Sequence, residues 1–250
     1  MKRTFLILLA LLTLMSASAL SLKENDSINY KPHNGGLAVE VGAGGMFPTG
    51  SLGDNLKGGF LFTCGFDFYY NRFAYKLNGS IAAPSFKNEN PYAVYDDQGR
   101  FTQRNGTGVP GLLGLNIQMG LNIQMGYTVW EQGRVTITPC FGINFNKLMW
   151  QMNHIKWTRD DQGEERPEIY DVTNAHESST GWTASVDIDI VAHQKRYYDN
   201  RGFWRTTSLS VRLTPFITHY TYSDFNPSFK GNFIGLTVSC LGFLDKISTR

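Results

Sequence analysis

The chain has 250 residues, with 23 Lys plus Arg against 21 Asp plus Glu and a formal net charge of +2 at pH 7. A near-neutral chain lacks the basic footprint of a nucleic-acid binder, so no nucleic acid is expected as a partner. Cys64, Cys140 and Cys240 are an odd set spread over three predicted strands. They read as small apolar fillers rather than a disulfide or metal site.

At the N-terminus Lys2 and Arg3 precede an apolar run from Phe5 to Met15, followed by Ala17-Ser18-Ala19. This is the order of a secretory signal peptide, residues 1–19, cut after Ala19. The run is too short for a membrane anchor, which needs about 20 apolar residues. No Cys sits at the cleavage point, so no lipoprotein is expected. Removal of Lys2 and Arg3 leaves a mature chain of formal charge 0. Residues 20–36 are polar and read as a periplasmic lead-in. Within them Asp26-Ser27-Ile28 resembles the Asp-Ser/Thr-aliphatic motif of a bacterial periplasmic O-glycosylation system.

From residue 37 onward the apolar residues alternate with period two, which predicts strands rather than helices. The strands are Leu37–Phe47, Gly59–Tyr70, Phe73–Ala83, Leu112–Val129, Val135–Met149, Trp182–Ala192, Leu209–Thr221 and Phe233–Phe243. The fourth is the clearest. Its odd positions from Leu113 to Val129 are all apolar, and Gly114, Asn116, Gln118, Gly120, Asn122, Gln124, Gly126 and Thr128 opposite them carry no charge. A water-facing strand would carry Lys and Glu there, whereas small neutral polar groups suit a narrow hydrated interior. The hexapeptide Leu115–Gly120 recurs as Leu121–Gly126, an even step that lengthens the strand without flipping its faces. No second long apolar run exists, so a membrane-spanning chain of this kind must cross by strands. Residues 37–250 are therefore expected to form an all-β domain, an eight-stranded antiparallel up-and-down transmembrane β-barrel with its apolar side out. Alternation alone also allows the inverse, a lipocalin-like barrel with apolar side chains inside.

The connections at Tyr70-Asn71-Arg72, Glu131-Gln132-Gly133 and Tyr197–Phe203 are short, while Ser85–Pro110 and Trp150–Gly181 are long and polar. Short periplasmic turns and long extracellular loops show this asymmetry. Tyr69, Tyr70, Tyr127, Trp130, Tyr197, Tyr198 and Trp204 at the turn end, with Trp150, Trp182, Tyr220 and Tyr222 at the other, suggest two interfacial girdles. Lys147 falls on an apolar parity near a strand end, where its stem can snorkel. Pro139 and Pro215 lie inside strands and predict bulges or kinks. Asp96-Asp97-Gln98-Gly99 recurs as Asp160-Asp161-Gln162-Gly163. It lacks the spaced ligands of a calcium loop, and the flanking residues suggest that it closes a hairpin.

Parity turns Glu40, Asp67, Lys76, Asp187, Asp189 and Arg212 inward. They read as a lumenal charge network that fills the barrel, the alternative being a selective narrow pore. No catalytic residue, metal or cofactor is expected.

The opening hairpin VEVGAGGMFPTGSLGDNLKGG and the eight-strand pattern resemble the small outer-membrane barrels of Gram-negative bacteria: the OmpA membrane domain, OmpW and the PorT-like proteins. The resemblance covers about the whole mature chain. It implies outer-membrane lipid and lipopolysaccharide, the barrel assembly machinery and an unknown extracellular ligand as partners. It also implies either a structural or surface-binding role through the long loops, or a narrow channel for small solutes. The sequence departs from it at the C-terminus, where Phe243 is followed by LDKISTR instead of ending the chain. His219-Tyr220-Thr221 resembles the end of the lipid A deacylase family typified by PagL, with His219 matching the base and Thr221 replacing a Ser. The carboxylate of that family is missing from the next strand, GNFIGLTVS.

Overall fold

The computed structural model describes residues 36–87, 94–105, 117–198, 204–222 and 229–248. The expected signal peptide, the lead-in with Asp26-Ser27-Ile28, and Leu112–Asn116 lie outside them. Eight long strands are paired antiparallel with their sequence neighbours: β1 Gly36–Pro48, β2 Gly59–Tyr70, β3 Phe73–Ala82, β4 Ile117–Tyr127, β5 Val135–Arg159, β6 Glu165–Tyr198, β7 Trp204–Tyr222 and β8 Phe229–Ser248. The last strand pairs with the first from Gly36↔Lys246 to Pro48↔Phe233. The sheet therefore closes on itself as an eight-stranded up-and-down barrel, which leaves no edge within the wall.

Alternation decides which way each side chain points, and the barrel is inside out relative to a soluble one. Phe60, at 87% exposure, and Phe62, Phe66, Leu77, Leu121, Ile123, Phe141, Ile143 and Val238 all face outward. Thr63, Asn78, Gln118, Gln124, Asn144, Thr183, Thr214 and Thr237 face inward. A lipocalin-like arrangement is thereby overturned. A predominantly apolar exterior, with Lys147 near one strand end, and a polar interior suit lipid rather than water. On this wall, Ile123→Arg is expected to lower unfolding stability in bilayers by about 2–4 kcal/mol. Urea titration in lipid vesicles measures it, and a change below 0.5 kcal/mol would mean that this face is wet, since unburied surface substitutions stay within roughly that range.

Three sequence expectations need correction. Trp150–Gly181 is the hairpin that its Asp-Gln-Gly turn implied, but its arms are not separate from the barrel strands: β5 runs on to Arg159 and β6 begins at Glu165, paired from Arg159↔Glu165 downward. Tyr69, Trp150, Tyr220 and Tyr222 do not join a girdle, because their parity turns them inward and they are buried. Tyr70, Tyr127, Trp130 and Trp182 do face outward. Neither proline carries a register shift, the shifts lying instead at Leu37/Ala38, His154/Ile155, Val191/His193 and Arg205/Leu209. Pro139 sits just past the end of the β4–β5 ladder at Cys140↔Gly126, so no β4 partner waits for its missing N–H. At Pro215 the β6–β7 ladder skips two rungs, Val186 and Asp187 opposite Pro215 and Thr214, and resumes in the same register.

Small residues let the wall and its contents fit. A side chain at Gly65 would strike Asn78, and one at Gly120 would strike Ser80. Cys64 and Cys240 face outward on either side of Val41, Cys140 faces inward, and all three are free thiols.

Candidate functional site

The lumen is layered from the short-turn end to the long-hairpin end. The lowest layer is apolar: Ala38, Tyr69, Ala74, Leu241 and Phe243, with the Tyr69 and Phe243 rings 5.3 Å apart. Above it lie the six inward charges. Strand β1 brings Glu40, β2 Asp67, β3 Lys76, β6 Asp187 and Asp189, and β7 Arg212, all near one height: Asp67 lies directly across from Lys76 and Asp189 from Arg212, and ion pairs join the two couples.

Arg212 is the hub. Its guanidinium donates Nε to Asp189 Oδ1 at 2.6 Å and Nη2 to Asp189 Oδ2 at 3.0 Å, a bidentate grip. Nη1 reaches Glu40 Oε2 at 2.8 Å and also Asp67, and Nη2 bonds the Tyr69 hydroxyl. Lys76 Nζ donates to Asp187 Oδ2 at 2.6 Å and lies 3.6 Å from Glu40 Oε2. Thr214 Oγ1 donates to the other Asp187 oxygen at 2.9 Å. Tyr69 Oη donates to Asp67 at 3.0 Å. Two cations thus meet four carboxylates in a group where each side chain is almost fully buried. Charges so deep persist only when paired and hydrogen-bonded.

Above the charges is a chamber of about 70 Å³ walled by hydroxyls and amides, among them Thr63, Asn78, Gln118, Gln124, Thr183 and Thr218. It has room for a few water molecules and no more. Thr183 Oγ1 lies 2.9 Å from Thr218 Oγ1 and accepts from Gln124 Nε2 at 3.2 Å.

A second apolar layer closes the upper end, and the sequence reading missed it. The turn after β1 folds into the mouth as a short helix, α1 Ser51–Asn55, placing Leu52 and Leu56 wholly out of solvent among Met46, Leu148, Trp150, Tyr220, Tyr222 and Phe233. Leu52 sits within the helix, while Leu56 follows its end in extended conformation and pairs with Phe86, so no helical periodicity marks the pair. Gly50 enters this turn at φ 64°, a conformation that favours glycine. Thr49 N–H and Oγ1 donate to Asn232 O at 2.7 and 3.0 Å, and Ser51 Oγ donates to Lys230 O at 2.8 Å. Lys87 N–H donates to Asn55 O at 2.7 Å, and its ammonium bonds Gly53 O. Buried Glu177 also faces inward near this end, a carboxylate hidden from the sequence reading because Trp150–Gly181 was taken as loop.

Beyond the rim, β5 and β6 continue as a hairpin, and Met152, Asn153 and His154 pair with Asn105, Arg104 and Gln103. Residues 94–95 pair in turn with 101–103, giving a four-stranded extension. The two Asp-Asp-Gln-Gly turns have one geometry. Asp96 and Asp160 each accept two backbone N–H bonds at 2.9 Å, and Gly99 and Gly163 take φ 74° and 81°. Arg100 ties the hairpins together: Nη1 donates to Glu165 at 2.6 Å, and its guanidinium lies over the Trp157 ring. Trp157 Nε1 donates to Phe101 O at 2.9 Å.

The Arg100 N–H, its guanidinium and the Gln98 N–H hold the Asp96 carboxyl below the ordinary carboxylate range. A depressed folded value means that the turn's stabilisation is complete above the ordinary aspartate value and is lost only as pH falls through the lowered one. Hydrogen exchange of the Gln98 and Arg100 amides should therefore stay protected through the ordinary range and open below it. Protection already lost within the ordinary range refutes this.

On the outer wall near the rim, His219 stacks on Trp182 with rings 5.8 Å apart, and its Nδ1 lies 2.8 Å from Asn232 Oδ1. Asn232 is the residue directly across from His219 on β8. It orients the ring, but a neutral amide gives an imidazolium no charge stabilisation.

No protein-family model matches the sequence, and no curated relative matches it. The structure is similar to the crystal structure of the outer membrane protein OprG from Pseudomonas aeruginosa, with TM-score 0.39 and 8% identity, over 88% of this chain and 99% of that one. It is also similar to the solid-state NMR structure of outer membrane protein AlkL in DMPC lipid bilayers, with TM-score 0.29 and 14% identity, over 92% of this chain and 98% of that one.

Proposed function

We propose that this chain is exported, loses residues 1–19, and resides in a bacterial outer membrane as a non-enzymatic barrel with a structural or surface-binding role. One observation carries the reading: the lumen is closed twice by apolar layers, while the material beyond the rim is built into an ordered sheet. Two apolar layers packed across a narrow lumen disfavour the passage of polar solutes. The extension, in contrast, exposes Val94, Tyr95, Ile169, Tyr170 and Val172 on a frame pinned by Arg100 and Trp157. Exposed aromatic and aliphatic groups on a rigid frame suit recognition of an extracellular partner. Lipid and lipopolysaccharide would contact the apolar wall, and the barrel assembly machinery would insert it.

The test compares cells lacking the protein with cells making either the full chain or a chain with residues 151–178 replaced by a short Gly-Ser turn. Detergent sensitivity and surface attachment are the readouts. A binding role requires the hairpin for attachment, and a structural role survives without it. Loss of neither property on deletion of the gene would overturn both.

A narrow OmpW-like channel is the second reading, favoured by the polar chamber. It requires both apolar layers to withdraw, so steady conductance steps in planar bilayers would support it against the sealed barrel. A PagL-like lipid A deacylase is disfavoured by the neutral Asn232. The lipid A mass spectrum is expected to be unchanged by His219→Ala, and a gained acyl chain in that variant would reverse the assignment.

A further inference from the structure

On the outer wall the β7–β8 ladder changes character over its last outward rungs. Leu213↔Val238, Pro215↔Leu236 and Ile217↔Ile234 are apolar, with Val238 and Ile234 exposed. The next outward rung is His219↔Asn232, and the one above it is Thr221↔Lys230. On the far side of the barrel the wall stays apolar at the same end, as at Gly45↔Phe60 and Ile81↔Met119.

The four upper residues lie together by register. Directly paired residues hold their Cβ atoms about 5 Å apart, and outward rungs repeat about every 7 Å along a strand. His219, Asn232, Thr221 and Lys230 therefore mark the corners of one compact patch. It is fixed from behind. Ser51 Oγ donates to Lys230 O and accepts from its N–H, both at 2.8 Å, and Thr49 Oγ1 donates to Asn232 O at 3.0 Å. Thr221 N–H donates to Ser179 Oγ at 3.0 Å. The His219 ring is packed on Trp182 and donates Nδ1–H to Asn232 Oδ1.

Outward the patch presents a cation and hydrogen-bond donors: the exposed Lys230 ammonium, the Thr221 hydroxyl and the Asn232 amide N–H groups. None of these outward rungs carries a carboxylate, and among the described residues none forms an ion pair with Lys230. A lysine and neutral donors with no acid among them suit a phosphate. The apolar rungs directly beneath suit an acyl chain. Trp182, beside His219, stands where tails give way to headgroups, as interfacial Trp residues do.

We infer that this column seats one phosphorylated glycolipid of the outer leaflet, its phosphate held by Lys230, Thr221 and Asn232 and an acyl chain laid over Ile217 and Ile234. The inference rests on the outer-membrane placement proposed above, which makes the hairpin end of the wall the side where such a lipid lies. It adds to the wall's general contact with lipid one site with a fixed headgroup.

The full mature chain is refolded into phosphatidylcholine vesicles that contain lipid A, lipid A stripped of its phosphates, or phosphatidylglycerol at matched charge. Folding is scored by the SDS-resistant band. Native mass spectrometry then counts the lipid that the folded protein retains after transfer to detergent. The expected result is one lipid A per chain, saturating with its mole fraction, and at least tenfold weaker retention of the other two lipids. Lys230→Gln should weaken lipid A retention at least tenfold and Thr221→Val several-fold, while Lys230→Arg should keep most of it. Lys147→Gln, an exposed lysine of the same rim across from Ser178, should change nothing. Equal losses in Lys147→Gln and Lys230→Gln would overturn the seat and reduce the effect to surface charge. Equal retention of lipid A and its phosphate-free form would overturn the role of Lys230, and equal retention of phosphatidylglycerol would overturn the glycolipid. A parent chain that gives no SDS-resistant band in any vesicle would instead overturn the membrane placement, and this inference with it.

Discussion

Arg212→Ala should leave the barrel unable to hold its folded form in SDS at room temperature, with a loss of about 3–5 kcal/mol in urea titration. The guanidinium touches Asp189 twice, Glu40 and Asp67 once each, and the Tyr69 hydroxyl. Without it, Lys76 alone faces four carboxylates. Arg212→Lys is expected to rescue little, since one ammonium on a flexible stem cannot reproduce a planar fork shared among four partners. The sharper test is compensation. Neutralising Asp67 and Asp189 as Asn in the Arg212→Ala background should recover a substantial part of the loss, because the penalty is a buried unpaired charge rather than a missing contact. If the triple variant is no more stable than Arg212→Ala, the cluster is not held by electrostatics.

Loosening the upper layer should open the lumen to reagents. Leu52→Ala and Leu56→Ala each remove a wholly buried side chain, at about 2–5 kcal/mol apiece by transfer and cavity cost. Unlike the loss of Arg212, this acts on the helix in the mouth rather than the wall, so the barrel should stay SDS-resistant. Cys140 reports the difference. It points into the lumen beside Asp187, while Cys64 and Cys240 point outward. With Cys64 and Cys240 changed to Ser, a small water-soluble thiol reagent should label Cys140 slowly in the parent. In the double Leu variant labelling should be at least tenfold faster, which corresponds to about 1.4 kcal/mol in the opening equilibrium. Equal rates would place the barrier elsewhere, in the charge layer.

The barrel itself was legible because period-two alternation is a direct image of a strand with two unlike faces. The uncharged face of Gln118, Gly120, Asn122 and Gln124 even told which face was inside. The six inward charges followed from the same parity, and the structure gathers them at one height. What parity could not tell is depth, because a strand's polar rim and its core use the same alternation. Tyr220 and Tyr222 were therefore placed in a girdle though they face inward, where the apolar cap needs large rings. The cap was illegible for a different reason. Leu52 and Leu56 lie in a segment between strands, and their burial depends on a mouth formed by strands far away in sequence. At Pro215 the expected irregularity takes the form of two missing rungs rather than a bulge, since a closed wall can omit rungs without slipping.

The cap also sets an order of events. Its anchors, Thr49 and Ser51, bond to Asn232 and Lys230 across sequence separations of 183 and 179 residues. The first hairpin of the chain therefore cannot shut its own mouth until the last strand has arrived and paired with the first. Contacts so distant in sequence form late. Before that moment the interior is open to water and ions, and after it the contents are fixed. The seal thus works as a completion mark: only a barrel whose two ends have met can close its lid.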